Sequence, residues 1–316
     1  MSVDQRILRG TAATLSFQIV DADGVPTVPA GGVSIDVDRA DGTMLVGSAA
    51  ATVDSTGLCT YSLTPAQTAT LDVLTATWFD DTTNGEWSQT IEIVGGYMFT
   101  VGDIRAFETL GDDLTYPNAM VIRERLEVET EAEWICDRAF TPRYARITVD
   151  GNADPVIDLG VHDIRRVRSV RTYTSAGAST YSSFTAAQLA GIVPVGTSIR
   201  RTDNGVFEEG YGNIVVEVEY GLDAPDKPMR TAALIRLRDR LTRPQSSLPL
   251  RTKQFQSDAG TVELNQPEAF ETGIPEVDAV YGSYSKRQRG DGQQVPVSIP
   301  FDYDPQRYGL FVGGRR

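Results

Sequence analysis

The sequence has 316 residues with 43 acidic and 29 basic side chains, a formal charge of −14 that argues against a free-standing nucleic-acid binder, whose surface is normally basic. The length predicts two domains rather than one, and 41% hydrophobic residues are enough for packed cores, so disorder of the whole chain is excluded. No run of about 18 apolar residues occurs, and the opening MSVDQRILRG lacks an apolar signal region. A soluble chain made in the cytoplasm, with no membrane partner, is therefore expected. Cys59 and Cys136 form neither a CxxC pair nor a disulfide framework and are expected as two buried thiols in different domains.

The charge is unevenly spread: residues 1–100 hold 12 acidic and 3 basic side chains, and residues 101–316 hold 31 and 26. The first part reads as short strands. Apolar and polar residues alternate in LSFQIV (15–20), VSIDV (33–37), LCTYSL (58–63), LTATW (74–78) and WSQTIEIV (87–94), the period of half-buried antiparallel strands. DADG, RADG, DSTG and TTNG lie between them and supply residues that tolerate positive φ in tight turns. This spacing predicts an all-β sandwich over 1–95. It resembles the immunoglobulin-like modules attached to many phage structural proteins, a likeness of pattern without a specific motif. Trp78 lies in a strand pattern and is expected in the core, and Trp87 follows a turn.

After Gly95-Gly96 the period changes. Thr100 and Asp103 fit a capping box for a short helix at about 101–110. Pro117 opens a longer helix to about Arg138, on which Val121, Val128, Ala132, Ile135, Cys136 and Ala139 share a face. Arg123, Glu124, Glu127, Glu131 and Asp137 lie elsewhere, and without histidines this carboxylate crowd reads as a solvated face rather than a metal site.

A β segment at about 144–220 follows, with strands ARITV, PVIDL, IRRVRSVRTY and NIVVEVEY. Arg165, Arg166, Arg168 and Arg171 make the third of these basic. They suit either contact with phosphates or an acidic neighbour, or an edge strand guarded by charge, and both readings stand. Pro228 then starts a helix to about 243 with Met229, Ala232, Ala233, Leu237 and Leu241 as packing stripe and arginines around it. From Arg230 to Lys253, Arg230, Arg236, Arg238, Arg240, Arg243, Arg251 and Lys253 oppose only Asp239. Part of that pattern follows from the helix dipole, and the rest suits DNA or an acidic subunit surface. A last helix is signalled at 275–284. Residues 286–316, with Tyr303, Tyr308 and Phe311, are rich in Gly, Pro and polar residues and read as an extended arm ordered on binding.

The order of these parts is similar to the head-tail connector (adaptor) proteins of long-tailed bacteriophages over about 98–285. The quoted residues are IRERLEVETEAEWICDRAFTP, APDKPMRTAALIRLRDRL and GIPEVDAVYGSYSKR. The expected chain is thus multi-domain: an immunoglobulin-like sandwich (1–95), an α+β connector domain made of a helical bundle with a β insertion (96–285), and the arm. The resemblance implies a virion structural protein of the neck, forming a ring of about twelve copies. Its implied partners are itself, the portal protein and a stopper or tail-completion protein, with double-stranded DNA passing in packaging and ejection without specific binding. The implied location is the virion neck, and the host cytoplasm during assembly. The arginines of 230–253 and the arm would meet the portal or the next subunit. Two alternatives are a virion-attached module whose sandwich recognises a host glycan or protein, and a head-completion stopper or tail terminator.

No enzyme chemistry is expected. His162 has no nucleophile motif beside it, no P-loop occurs, GYGNIV precedes a strand rather than a helix, and DGNADP lacks the glutamate of a calcium loop. Catalytic, metal and cofactor residues are therefore predicted as none.

Overall fold

The computed structural model describes residues 3–21, 23–82, 85–242, 254–257, 260–263 and 270–286. The chain is mostly β, with few helices, and it parts into two units: residues 1–96 with 141–223, and residues 97–140 with 224–316. The border at Gly96 falls on the predicted glycine pair.

The first unit begins with β1 (Gln5–Leu8), β2 (Ala13–Gln18), β3 (Val33–Arg39), β4 (Met44–Ala50), β5 (Thr52–Val53), β6 (Leu58–Leu63), β7 (Asp72–Asp80) and β8 (Glu86–Val94). These form two sheets, in the orders β1-β8-β7-β3-β4 and β2-β6-β5, with β1 running parallel to β8 and the other pairs antiparallel. All five predicted strands are present. β1, β4 and β5 carry too little alternation to be read from sequence: β4 is MLVGSAA, whose only buried residue is Val46. The two sheets share one core, in which Leu15, Cys59 and Leu63 of the smaller sheet meet Ile35, Val37, Leu74, Ala76, Trp78, Ile91 and Ile93 of the larger. Turn chemistry is strict at Gly57, which has φ +82°, and a Cβ there would lie 1.9 Å from the Thr27 carbonyl oxygen.

The helical segments α1 (Val101–Arg105) and α2 (Asn118–Cys136) follow, separated by a 3-10 turn at Glu108–Gly111. The predicted single helix at 101–110 is therefore a short helix plus a tighter turn. Pro117 sits just outside α2 with ψ 147°, and Asp137 ends the helix in the left-handed conformation, its N–H donating to the carbonyls of Glu133 and Trp134.

The chain then returns to the first unit through β9 (Arg143–Gly151), β10 (Val156–Asp158), β11 (Ile164–Tyr173), β12 (Tyr181–Ser183), α3 (Ala186–Ala190), β13 (Ile192–Val195), β14 (Ser198–Arg201) and β15 (Gly210–Tyr220). Sheets β12-β11-β15-β9 and β10-β14-β13 share a second core made of Ile157, Leu159, Val170, Ile199, Phe207, Ile214, Val216 and Val218. The second unit is completed by α4 (Lys227–Thr242), the hairpin β16 (Gln254–Ser257) and β17 (Gly260–Glu263), and α5 (Pro275–Tyr284) with proline at its first position.

What joins the two β parts of the first unit is ionic. Glu92 of β8 lies between Arg6 of β1, at 2.9 Å, and Arg143 of β9, at 3.6 Å, and the three side chains are 8%, 6% and 1% exposed. A buried carboxylate between two guanidiniums is favourable only while all three remain. We predict that Glu92→Ala, which removes the carboxylate from between two buried guanidiniums, lowers stability by about 3–5 kcal/mol in urea denaturation. Replacing the triad together (Arg6→Met, Glu92→Leu, Arg143→Met) is expected to restore most of that loss. A loss below about 1 kcal/mol for the single variant would mean that water already reaches the triad.

Candidate assembly surface

The second unit is positioned by its helix ends. Thr100 and Asp103 form the predicted capping box: the Asp103 N–H donates to the Thr100 hydroxyl at 3.1 Å, and the Thr100 N–H donates to Asp103 Oδ2 at 2.7 Å. The Thr100 N–H and, at 2.8 Å, the Thr100 hydroxyl both donate to the Asp103 carboxylate and hold it below its ordinary pKa. On α2 the predicted stripe Val121, Val128, Ala132, Ile135 and Cys136 is buried, and on α4 so are Met229, Ala232, Ala233, Leu237 and Leu241. α2, α4 and α5 pack on one another. Cys136 and Cys59 are both buried free thiols, one in each unit, as expected. Burial holds the phenol of Tyr281 on α5 well above its ordinary pKa.

Two α2 side chains outside the predicted stripe are also buried. Glu129 accepts the Met98 N–H at 2.8 Å, and the Arg125 guanidinium lies 3.6 Å from the centre of the Tyr97 ring. Both fix the entry to α1 against α2.

The arginines of α4 have partners on α2. Arg236, expected at the periphery of the stripe, is 3% exposed. Its Nε and Nη2 donate to Glu131 Oε2 and Oε1 at 2.8 and 2.7 Å, a bidentate fork, and its Nη1 donates to Asp239 at 3.0 Å. Burial alone would lower the guanidinium pKa, but the Glu131 bond and charge raise it above its ordinary value. Arg240 donates to Glu124 at 2.9 Å and lies 3.9 Å from Glu127. Arg238 pairs with Glu108. Glu124 and Glu131 are thus engaged by α4 rather than solvated. Glu124, Glu127 and Glu131 at i, i+3 and i+7, opposite Arg236 and Arg240 at i and i+4, was the readable sign of one stripe facing another. Arg230 stays exposed. Arg243, Arg251, Lys253, Tyr303, Tyr308 and Phe311, and the arm from residue 287 onward, lie outside the described residues.

In the first unit the basic strand β11 lies between β12 and β15, with β12 pairing only its last three residues. The acidic neighbours of its arginines are in the same chain. Arg165 pairs with Asp223 at 2.5 Å and Arg168 with Glu219 at 2.6 Å, while Arg171 lies 3.5 Å from Glu217 and 3.9 Å from Asp41. Arg168 also donates to the Leu71 carbonyl at 2.6 Å, and Arg146 to the Ala40 carbonyl at 2.9 Å. The strand therefore holds the N-terminal sheets to the second β part, and Arg166 alone of the four predicted contacts is exposed without a recorded bond. His162 sits just before β11, and DGNADP spans the end of β9, where Asp150 accepts the Gly212 N–H at 2.6 Å, and the bend that follows. Among the described residues no three His, Cys, Asp or Glu side chains converge as metal ligands, and no helix is long and apolar enough to cross a membrane.

The two kinds of pair on α4 should differ sharply in worth. Arg236→Ala, which empties a buried site and takes the bidentate cation from the half-buried Glu131, is expected to cost about 3–5 kcal/mol in guanidinium denaturation. Arg238→Ala, whose pair with Glu108 is 37% and 50% exposed, is expected to cost less than about 1 kcal/mol. Equal losses would mean that the Arg236 fork is solvated.

No protein-family model matches the sequence, and no curated protein matches it either. Among the solved structures that the chain is similar to are three from gene transfer agent (GTA) particles. The first is a chain from the neck of an empty GTA particle computed with C6 symmetry, at 13% identity and TM-score 0.42, covering 62% of this chain and 93% of that one. The second is from the virion of a native gene transfer agent (GTA) particle, at 13% identity and TM-score 0.43, with the same coverage. The third is from the neck of a native GTA particle computed with C12 symmetry, at 11% identity and TM-score 0.39, covering 63% of this chain and 98% of that one.

Proposed function

We propose that this chain is a structural protein of a phage-type virion neck, an adaptor subunit that forms a ring joining the portal to the downstream neck proteins and lining part of the DNA channel. The observation that carries the reading is the assembly of the second unit. The chain leaves after α2, makes a β excursion of some eighty residues, and returns as α4 and α5 to pack on α2. That is the order of parts on which the sequence resemblance to head-tail connectors rests, and each quoted motif falls on a described element: IRERLEVETEAEWIC on α2, PMRTAALIRLRDRL on α4 and PEVDAVYGSY on α5.

The charge distribution is compatible with a conduit. Neutralising many phosphates makes DNA binding tight and would hinder translocation, whereas a chain of net −14 has little to grip with. The described arginines of α4 and β11 are largely engaged inside the subunit, which leaves Arg230, Arg166 and the exposed Lys227 as described basic side chains of these two elements that could face a neighbour. On this reading Arg243, Arg251, Lys253 and the segment with Tyr303, Tyr308 and Phe311 serve the portal contact. The protein is not an enzyme on this reading and takes no cofactor. The alternative of a host-recognition module needs exposed aromatic side chains on the N-terminal sheets. Trp78 is instead fully buried, and Phe17 lies 6.2 Å from its ring and 6.0 Å from that of Trp87.

The test is to mix the purified full-length chain with its portal and image the product by electron microscopy. Rings of this chain seated on the portal are expected, and their absence with competent portal overturns the proposal. Truncation after Lys286, which keeps the bond from its N–H to the Cys136 carbonyl at 2.8 Å, is expected to leave the thermal transition unchanged and to reduce portal attachment. Full attachment of the truncated chain would remove residues 287–316 from the contact.

A further inference from the structure

Two features of the second unit are complementary and lie at its opposite ends. The first is Leu114, in the connection between the 3-10 turn and α2. At 89% exposure it is the most exposed large hydrophobic side chain among the described residues. It is not on a loose tip. Asp112 Oδ1 accepts the Leu114 N–H at 3.0 Å, and Asp112 Oδ2 accepts the Thr115 hydroxyl at 2.5 Å. Arg105 reaches beneath the turn, donating to the carbonyls of Leu110, Asp112 and Tyr116 at 3.1, 3.3 and 2.6 Å and to Asn118 Oδ1 at 2.7 Å. A backbone tied down at so many points holds an apolar side chain out in water, which is unfavourable for a subunit alone and pre-organised for a partner.

The second feature is a groove of about 320 Å³ between the start of α4 and α5, walled by Pro228, Ala232, Ile235 and Val280, with Thr231, Lys227 and Glu276 along its rim. α4 runs antiparallel to α2, since Arg240 meets Glu124 and Arg236 meets Glu131. The start of α4 therefore lies toward the C-terminal end of α2, where Cys136 Sγ also contacts the Tyr281 carbonyl. Leu114 precedes the N-terminal end of α2. The 19 residues of α2, rising 1.5 Å each, place knob and groove roughly 27 Å apart, so Leu114 cannot fill the groove of its own subunit. A knob and a matching hole at opposite ends of one body make a heterologous contact, which closes into a ring when the rotation between copies allows. Exposed Asp113 stands next to the knob, and the rim of the hole carries Lys227 and Glu276, so the favourable seating turns Asp113 toward the Lys227 side.

We propose that Leu114 of one copy seats in the α4–α5 groove of the next, with Asp113 meeting Lys227. This rests on the ring reading above and names its subunit contact.

The test uses full-length chain carrying Leu114→Cys together with Thr231→Cys, assembled on the portal and then oxidised. The native thiols are buried and do not compete. A reducible ladder of cross-linked copies beyond the dimer is expected, and neither single variant should give one. Leu114→Asp is expected to weaken ring formation about tenfold or more while leaving the thermal transition unchanged, because the side chain is already in water. Asp113→Lys and Lys227→Asp should each weaken assembly and together restore it. Rings that form at full yield with Leu114→Asp and give no ladder overturn this inference and leave the neck reading standing; a chain that forms no ring with competent portal overturns both. A ladder that appears only after truncation beyond Lys286 would give the groove to the chain's own C-terminal residues and overturn the inference as well.

Discussion

A guanidinium taken out of water sets the terms for the helical unit. Arg236 is buried on α4, and its charge is tolerable there only because Glu131 grips it with both oxygens and Asp239 takes a third N–H. Glu131, the partner on α2, fixes how α4 lies on that helix: antiparallel, and in the register that also brings Arg240 to Glu124. Apolar stripes alone would let the helices slide by a turn at modest cost, since one leucine or alanine layer resembles the next. A buried bidentate pair has one good position. The register in turn decides that the α4–α5 groove and the Leu114 turn stand at opposite ends of the unit.

The same solution recurs in the other unit with different geometry. Glu92 lies between Arg6 and Arg143, and Arg168 and Arg171 extend the seam toward Glu219, Glu217 and Asp41. Because 26 of the 29 basic residues are arginines, planar forks are available wherever two elements must be fixed in orientation. The N-terminal sheets are consequently part of a larger β body rather than an appendage on a tether. Held in this way, the N-terminal sheets keep a fixed orientation to the second β part.

Much of the local structure was legible in the sequence. The alternation in VSIDV and LTATW marked β3 and β7, Thr100 and Asp103 marked the start of α1, and the stripes on α2 and α4 are the buried ones. These signals are short-range, because a strand's faces and a helix's cap depend on residues within a few positions of one another. β1, β4 and β5 escaped because strands with at most one buried residue have no period to detect. Leu114 escaped because a single exposed leucine in a polar turn has no pattern at all.

The charges were read correctly as composition and only in part as placement. Sequence identified the basic strand and the basic helix, but Arg236 and Glu131 are 105 positions apart, and Arg168 and the Leu71 carbonyl are 97 apart. Whether a charge faces solvent, a partner or its own chain depends on which distant residue folding brings opposite it, and that is a property of register in three dimensions. The sequence by itself determined the two kinds of segment, the capped start of α1, the apolar faces and the two sequestered thiols. The tertiary structure alone decided that the second β part joins the N-terminal sheets, that most of the described arginines of α4 and β11 are engaged within the subunit, and that Leu114 and the α4–α5 groove are open among the described residues. The reason is physical: periodicity is written in neighbours along the chain, whereas the desolvation of a charge is settled by neighbours in space.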